Sequence, residues 1–243
     1  MNIKLTIEYD GTNYHGWQIQ PNGETIQAIL ERAISTFFGI HTRLIGSGRT
    51  DAGVHALGQV ANFFCDGAPD LAKLGRGLNA LTPPDVVIKA VEIAPDSFDS
   101  RRSAKSRVYQ YRILNRAFPS SFHLNRAWHI HDSLRLEPMR EAIVLLEGEM
   151  DFTSFQAAGC DADHAVRKVY RNSLEKCDEF LLYNVEATAF LRHMVRNIVG
   201  TLVEVGRKQR SPQSFGELLE ARDRTKAGPT APAHGLFLME VKY

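Results

Sequence analysis

The residues of this chain best suited to chemistry lie close together, between Gly46 and Ala56. Three glycines, an Arg, an Asp and a His occur within these eleven residues. Strands are predicted on both sides, so we interpret the segment as a tight, exposed loop that sets the carboxylate of Asp51 beside the guanidinium of Arg49. An opposite charge within about 4–6 Å favours the ionised form of a carboxylate. An ordinary turn also uses glycine for positive φ and Asp or Thr for local hydrogen bonds, and residue types alone do not separate these interpretations.

Basic residues are bunched along the chain, although the formal net charge is only +1. Local bunching can create a basic groove on a nearly neutral protein, which would suit a nucleic acid. A solvated surface gives the same pattern, and only the fold decides whether the clusters meet. The clusters are Arg101, Arg102, Lys105 and Arg107; Arg167, Lys168 and Arg171; Arg192 and Arg196; and Arg207, Lys208 and Arg210.

Length and composition are those of an ordinary globular protein. The chain has 243 residues, of which 44% are hydrophobic and 23% charged, and it suits one large domain or two small ones. No apolar run approaches the roughly eighteen residues of a membrane helix, and a strand predicted near the start leaves no room for a signal peptide. Cys65, Cys160 and Cys177 lack a C-x-x-C spacing and suggest neither disulfides nor a zinc site. We therefore expect a cytoplasmic protein.

Alternating strands and helices are predicted to position the loop. Alternate residues from Ile3 to Tyr9 are apolar, as in a half-buried strand. An apolar stripe predicts a helix over 25–38 that ends at Gly39. Further strands are predicted at 42–46, 59–64 and 86–92, with a short helix at 71–79. The order β-α-β-β-α-β is that of a split ferredoxin-like unit.

The second half repeats this pattern less clearly. Strands are predicted at 106–113, 166–176, 179–187 and 236–243, and helices at 136–147, ended by Gly148, at 191–205, and from Ser211 and Pro212 onward. Two α+β halves, 1–105 and 106–243, imply a pseudo-two-fold molecule with a cleft between them.

The loop and six further blocks, in the same order, resemble the tRNA pseudouridine synthase A family. The other blocks are Tyr9–Thr12 with Gly16–Gln18, Leu78–Leu81 with Pro83–Asp85, Arg107–Tyr111, Asp151–Phe155, Phe190–Gly200 and Ala227–Leu236. They span almost the whole chain. In that family the Asp of the R-T-D-A-G-V-H-A core is essential, and here it is Asp51. Phe98–Arg101 departs from the F-H-A-R of many relatives, and Asp161–His164 is assigned only a loop.

The resemblance implies the pseudouridine synthase fold, in which two ferredoxin-like halves with antiparallel or mixed sheets flank a central catalytic cleft. It also implies isomerisation of uridine to pseudouridine at positions 38, 39 and 40 of the tRNA anticodon stem-loop, by a homodimer. That reaction breaks the N1–C1′ bond, rotates the base and rebuilds the link through C5. Because it has no redox step, we expect no cofactor and no metal. It needs a carboxylate, a cation to fix it and a pocket that retains the detached base.

Four residues are predicted to form the site. Asp51 is the catalytic carboxylate, and Arg49, Tyr109 and Arg196 bind the substrate. By resemblance, the Arg at position 196 pairs with the Asp, and the first Tyr of R-x-Y-x-Y stacks on the target uracil. Alternation places Tyr109 and Tyr111 on one strand face, so pattern alone does not choose between them; the resemblance favours Tyr109.

Other residues are predicted to support the reaction. Leu236 and Leu238 would form an apolar wall behind the stacked ring. Extracting a base from a stem costs a few kcal/mol, and His55 could fill the vacated space or touch phosphate. Attack of Asp51 on C1′, attack on the ring and removal of the C2′ proton all use the same carboxylate, so the sequence leaves these routes open.

Three other interpretations draw on the same residues. A metal-dependent hydrolase could use Asp51, His55, His129, His131, Asp161, Asp163 and His164, but no spacing among them matches a strong ligand motif such as H-E-x-x-H. A non-catalytic RNA-binding module would show basic clusters and aromatic residues without needing Asp51. Gly46–Gly48 suggests a phosphate-binding loop, but the G-K-[ST] ending is missing.

Overall fold

A computed structural model describes residues 1–160 and 162–243, and these form two compact units. The first unit consists of Met1–Lys105 with Phe237–Tyr243, and the second of Ser106–Leu236. Both units combine helices with strands, so the predicted α+β class is confirmed. Within the described ranges, no helix is long and apolar enough to span a membrane.

The first unit contains the predicted β-α-β-β-α-β order and one strand from the end of the chain. Its elements are β1 (Asn2–Tyr9), α1 (Ile26–Phe38), β2 (Ile45–Gly46), β3 (His55–Phe64), α2 (Leu71–Leu81), β4 (Val86–Ala94) and, except for its first residue, β10 (Leu236–Lys242). The strands lie in the order β4-β1-β3-β10, with β2 on β3. β1 is antiparallel to both neighbours, whereas β10 is parallel to β3, so the sheet is mixed.

Local signals explain the boundaries of α1. The Thr25 side chain accepts a hydrogen bond from the first turn, and Gly39, at φ 73°, closes the helix by donating its N–H to Ser35 O at 2.9 Å. The strand predicted at 42–46 is reduced to Ile45–Gly46. Side chains of α1 explain this, because the Leu44 N–H donates to Glu31 Oε1 at 2.9 Å and is not available to a neighbouring strand.

The second unit is built on an antiparallel meander with one short parallel strand. Its elements are β5 (Ser106–Asn115), β6 (Trp128–Ile130), α3 (Leu136–Val144), β7 (Gly148–Asp151), β8 (Val166–Cys177), β9 (Phe180–Ala187), α4 (Met194–Gly206) and α5 (Pro212–Ala221). The strand order is β5-β9-β8-β7, and β6 lies parallel to β5. Ser211 caps α5 as predicted, accepting a hydrogen bond from the Ser214 N–H at 3.0 Å.

Three details of the second unit differ from the sequence-based expectation. β6 and β7 are too short to show an alternating pattern, and the sequence predicts no strand at either place. Gly148, expected to end a helix, instead begins β7 at φ 107°. α4 begins at Met194 rather than at 191, after His193 in the left-handed region at φ 59°. Arg192 therefore precedes α4, whereas Arg196 lies within it.

Candidate active site

The glycine-rich loop turns successive side chains to opposite sides. Ser47 and Thr50 are buried, Arg49 is exposed and Asp51 is half-buried. The inward side chains anchor the loop to the first unit, while Asp51 keeps part of its surface exposed. Such an arrangement lets a charged group meet a substrate from a fixed backbone.

Polar groups of β1 and β3 bind the inner side of the loop. The Thr50 hydroxyl lies 2.8 Å from the Tyr9 hydroxyl, and the Ser47 hydroxyl donates to Gln59 Oε1 at 2.6 Å. Gln59 Nε2 donates in turn to the Gly48 carbonyl oxygen at 3.1 Å. The loop is thus hydrogen-bonded on both sides of Arg49.

The segment that follows β1 holds the loop through its backbone. The Trp17 N–H donates to Thr50 O at 3.0 Å, and the Gly53 N–H donates to Tyr14 O at 3.4 Å. These two bonds lie on either side of Asp51. The first of them explains why the Gly16–Gln18 block accompanies the loop in the sequence.

Two glycines permit this close approach. A Cβ at Gly16 would lie against the Thr50 carbonyl oxygen, and Gly16 has φ 85°, which favours glycine. A Cβ at Gly11 would lie against the Val54 carbonyl oxygen. The glycines therefore serve backbone packing around the loop.

His55 is a buried structural residue. Only 2% of it is exposed, and its ring stacks on Phe237 with centroids 4.6 Å apart. Its Nδ1 lies 3.1 Å from both the Gly11 N–H nitrogen and Asp10 Oδ1. The expectation that His55 fills the space of a flipped nucleotide or touches phosphate is therefore wrong, because the ring is enclosed by its own unit.

Tyr109 and Tyr111 differ in what their strand exposes. Tyr111 is fully buried and donates its hydroxyl to Pro232 O at 2.7 Å; burial raises its pKa, and the charge of Arg196 opposes that rise. Tyr109 keeps 9% of its surface exposed, and its ring meets Phe190 edge to face at 4.9 Å. Tyr111 is therefore fully enclosed in the core, whereas Tyr109 keeps a small exposed fraction.

Arg196 lies in the first turn of α4 and is half-buried. Its Nε donates to Ala231 O at 2.8 Å, and the Ala231 N–H donates to Arg196 O at 3.1 Å. The guanidinium is therefore held by the backbone of the Ala227–Leu236 block.

Asn197 is a residue that sequence reasoning missed, although it lies within a quoted block. It is fully buried and donates to Phe155 O at 2.8 Å, while its Oδ1 accepts from Thr230 at 2.7 Å and from Arg224 at 3.1 Å. These bonds fasten the start of α4 to the segment that binds Arg196. A polar residue inside an otherwise apolar helix face was the available signal.

The two leucines predicted behind the ring are both buried. Leu236 is 6% exposed and belongs to the second unit, and Leu238 is 1% exposed and pairs opposite Ala56 in the first.

Several basic residues predicted to track RNA are engaged by acidic side chains. The ion pairs are Arg171 with Glu186 at 2.9 Å, Arg207 with Asp132 at 3.1 Å, and Arg210 with Glu204 at 3.1 Å. Arg192 donates to the carbonyl oxygens of Ala158 and Gly159 at 3.0 and 3.3 Å. At least one basic residue of each of these clusters therefore forms ion pairs or hydrogen bonds within the protein itself.

Residues 1–160 and 162–243 bring together no group of three His, Cys, Asp or Glu side chains that could hold a metal ion. Asp161, one ligand of the hydrolase interpretation, lies outside the described residues. Cys65, Cys160 and Cys177 are free thiols.

Comparisons with known proteins agree along nearly the whole chain. A family model described as tRNA pseudouridine synthase matches residues 5–101 and 142–243. The tRNA pseudouridine synthase A of Myxococcus xanthus is 46% identical, over 99% of this chain and 91% of that protein. Proteins of the same name from Thermoanaerobacter sp. (strain X514) and Geotalea uraniireducens are 44% and 45% identical, over 100% and 99% of this chain and 99% of each relative. The matched ranges include Asp51 and Arg196, and Tyr109 lies between them.

Proposed function

Because this chain belongs to the tRNA pseudouridine synthase family, we propose that Asp51 is the carboxylate with which it isomerises uridine in tRNA. The observation that carries this assignment is the loop itself. Ser47 and Thr50 turn inward to buried hydrogen bonds, and Asp51, which follows them on the same loop, is half-buried. A fixed carboxylate is what glycosidic bond cleavage and re-formation require.

The reaction moves C1′ of the ribose from N1 to C5 of the base. The N1–C1′ bond breaks, the C1′–C5 bond forms, C5 loses its hydrogen as a proton and N1 gains one, so the nucleotide keeps its composition. Asp51 acts by adding to C1′, by adding to the ring or by removing the C2′ proton. No electrons are exchanged with a partner, and we propose that neither a cofactor nor a metal takes part.

Three residues are proposed to bind the substrate. Tyr109 stacks on the uracil, and its edge-to-face contact with Phe190 fixes the plane of the ring. Arg196, held by Ala231 O, supplies a cation of fixed orientation. Arg49 is exposed on the loop beside Asp51 and contacts the RNA.

The proposed target is uridine at positions 38, 39 and 40 of the tRNA anticodon stem-loop. A paired base must leave its stem to reach a carboxylate, at a cost of a few kcal/mol. Because one site serves neighbouring positions, recognition rests on RNA shape and backbone rather than on base identity. We expect the enzyme to work in the cytoplasm, because its substrate is tRNA.

We also propose that two copies of the chain associate through an apolar ridge formed by Phe118, Phe122 and Leu124. These residues lie between β5 and β6 and are 79%, 84% and 67% exposed. They present about 400–500 Å² of apolar surface, roughly half of one partner's share, about 800 Å², in a standard interface. A patch of this size is about as large as the largest apolar patch on a typical monomer, and such patches are often functional.

The arginine beside the ridge favours a protein partner over RNA. Arg116 donates from Nε to Phe118 O at 2.8 Å, from Nη2 to Pro119 O at 3.0 Å and from Nη1 to Glu179 at 2.6 Å. Each of its guanidinium nitrogens is used within the unit, which stiffens the segment and leaves the apolar side chains outermost.

Sedimentation velocity tests the ridge. The wild type is expected to sediment as a dimer, and a Phe118→Ser/Phe122→Ser variant as a folded monomer. Val144→Ser is the control, because Val144 is also 65% exposed but lies outside the ridge. A monomeric wild type, or a dimer that survives the double substitution, overturns the proposal.

Tritium release from tRNA carrying 5-tritiated uridine tests the function, because forming the C1′–C5 bond expels the hydrogen on C5. With a chelator present, we expect release by the wild type and none by Asp51→Asn. Asp178→Asn is the matched control: Asp178 has φ 51°, a conformation that Asn tolerates, and it should release tritium normally. Activity in Asp51→Asn would overturn the assignment. No release by the wild type, with tRNA still bound, would favour a non-catalytic RNA-binding protein.

A further inference from the structure

A buried hydroxyl pair lies beneath the loop that carries Asp51. Tyr9 ends β1 and Thr50 directly precedes Asp51, and the two are 2% and 7% exposed. Their hydroxyl oxygens are 2.8 Å apart. The proposed chemistry requires no hydroxyl at this place, since neither group reaches the surface that a nucleotide could touch.

Tyr9 keeps its hydroxyl proton. Burial raises the pKa of Tyr9 to about 12, and its hydrogen bonds with Thr50 and Gln59 lower it less. Gln59 Nε2 donates to the Tyr9 oxygen over a long 3.5 Å, and in the Tyr9–Thr50 contact either hydroxyl can donate to the other. Tyr9 therefore stays neutral, and the contact is a hydrogen bond throughout the working pH range.

Thr50 is fixed at both its side chain and its backbone. Its hydroxyl meets Tyr9, and its carbonyl oxygen accepts the Trp17 N–H at 3.0 Å. The peptide group that joins Thr50 to Asp51 contains that carbonyl. Rotation of this peptide would move the Asp51 carboxylate, and the two bonds oppose that rotation from opposite ends of Thr50.

We propose that Tyr9 is a positioning residue for the isomerisation, acting through the Thr50 hydroxyl on the orientation of Asp51. The inference rests on the proposed role of Asp51. A displacement of about 1 Å at a reacting group can lower a rate by about a hundredfold. Loss of one of two constraints should cost less, and we expect a fall in kcat of about tenfold.

The test uses the full-length enzyme and the tritium-release assay, with kcat and KM measured separately. Tyr9→Phe and Thr50→Val each remove one hydroxyl of the pair and should lower kcat about tenfold while KM changes less than about twofold. The double variant should be no slower than the slower single variant, because both substitutions remove one interaction. Thr50→Ser keeps the hydroxyl and should retain kcat within about twofold of the wild type.

Tyr183→Phe is the matched control. Tyr183 is 1% exposed, and its hydroxyl has no hydrogen-bond partner among the residues that the structure describes. Tyr183→Phe removes a buried tyrosine hydroxyl as Tyr9→Phe does, and the kcat of this variant should equal that of the wild type. Thermal melting of each variant and tRNA binding by filter retention check that the assays compare folded proteins.

Three results would overturn the inference: an unchanged kcat in Tyr9→Phe, losses in the double variant that multiply, or a Thr50→Ser variant as slow as Thr50→Val. If a variant melts below the assay temperature, all variants are assayed at a lower temperature, where the same ratios of variant to wild-type kcat are expected. Activity in Asp51→Asn would instead overturn the role of Asp51, so the two failures are distinguishable.

Discussion

Arg196 and Ala231 are joined twice, in opposite directions. The arginine Nε donates to the Ala231 carbonyl oxygen at 2.8 Å, and the Ala231 N–H donates to the Arg196 carbonyl oxygen at 3.1 Å. The second bond fixes the backbone of the arginine and the first fixes its side chain. A guanidinium held in this way keeps its orientation when a substrate arrives, which lowers the entropy cost of binding.

Arg196→Lys should therefore be damaging even though it keeps the positive charge. A lysine has no Nε at that distance and no planar fork, so the bond to Ala231 O is lost. We expect kcat to fall by about a hundredfold and the melting temperature to fall with it. Arg76→Lys, at an exposed position of α2, is the control and should match the wild type in both measurements. An Arg196→Lys enzyme with normal kcat would contradict the role of the fork.

Tyr109 and Tyr111 should separate activity from stability. Tyr109→Phe keeps the ring against Phe190, whereas Tyr109→Leu removes the aromatic face; loss of stacking should weaken binding by about 1–3 kcal/mol. Tyr111→Phe removes only the bond to Pro232 O and should reduce the free energy of unfolding by about 1 kcal/mol with kcat unchanged. Denaturant unfolding and tritium release measure the two effects. Full activity in Tyr109→Leu would exclude stacking by this residue.

Gly11→Ala should displace the loop that carries Asp51, although Gly11 lies outside that loop. The new Cβ would press on the Val54 carbonyl oxygen, so the loop and the segment after β1 must separate. We expect lower kcat and a melting temperature lower by several degrees, equivalent to about 1–3 kcal/mol. A Cβ at Gly48 meets no atom of the described chain within 4 Å, so Gly48→Ala should melt with the wild type. Equal melting of both variants would contradict the close approach.

His234 should make stability depend on pH. Burial lowers its pKa, a hydrogen bond with the Ala127 backbone opposes this, and the charge of Arg196 lowers it further. The unfolded chain takes up the proton below the ordinary value of about 6.5, while the folded protein resists it. The contribution to stability is thus full above about pH 6.5 and is lost as the pH falls through the lowered folded value.

The corresponding experiment is thermal melting between pH 7.5 and pH 5, as an illustrative range around that value. His234→Gln should lose less stability over this interval than the wild type. His41→Gln, at an exposed position, should keep the wild-type slope. Parallel curves for the wild type and His234→Gln would contradict the prediction.

Much of the fold follows from periodicity, and its exceptions have physical causes. The alternation from Ile3 to Tyr9 and the Gly39 cap are local signals, and both elements formed where expected. The parallel partner of β3 is not a local signal, because β10 lies at the other end of the chain. α4 begins later than predicted because His193 takes a left-handed conformation. A histidine in the sequence does not by itself predict that conformation.

In the candidate site, too, local sequence signals predicted some features, and contacts between distant residues determined the others. The residue types around Asp51 identified the loop, but the inward turn of Thr50 depends on Tyr9 and Gln59, which lie on two different strands. Alternation could not choose between Tyr109 and Tyr111, and the difference in exposure comes from the Pro232 segment and Gly235 packed over Tyr111. The roles of Asp51, Arg49, Tyr109 and Arg196 in catalysis and binding stay predictions for the assays above.

The parallel pairing of β10 with β3 has a consequence for how the protein is made. A ribosome delivers β3 early, whereas Phe237 and Leu238, which pair with His55 and Ala56, follow much later in the chain. Contacts between such distant parts of a chain form slowly, and this one cannot form before β10 has been synthesised. The nascent chain therefore carries the Asp51 loop on a sheet that still lacks β10. A protein truncated before Phe237 should have a destabilised first unit, although the cut lies next to the second unit.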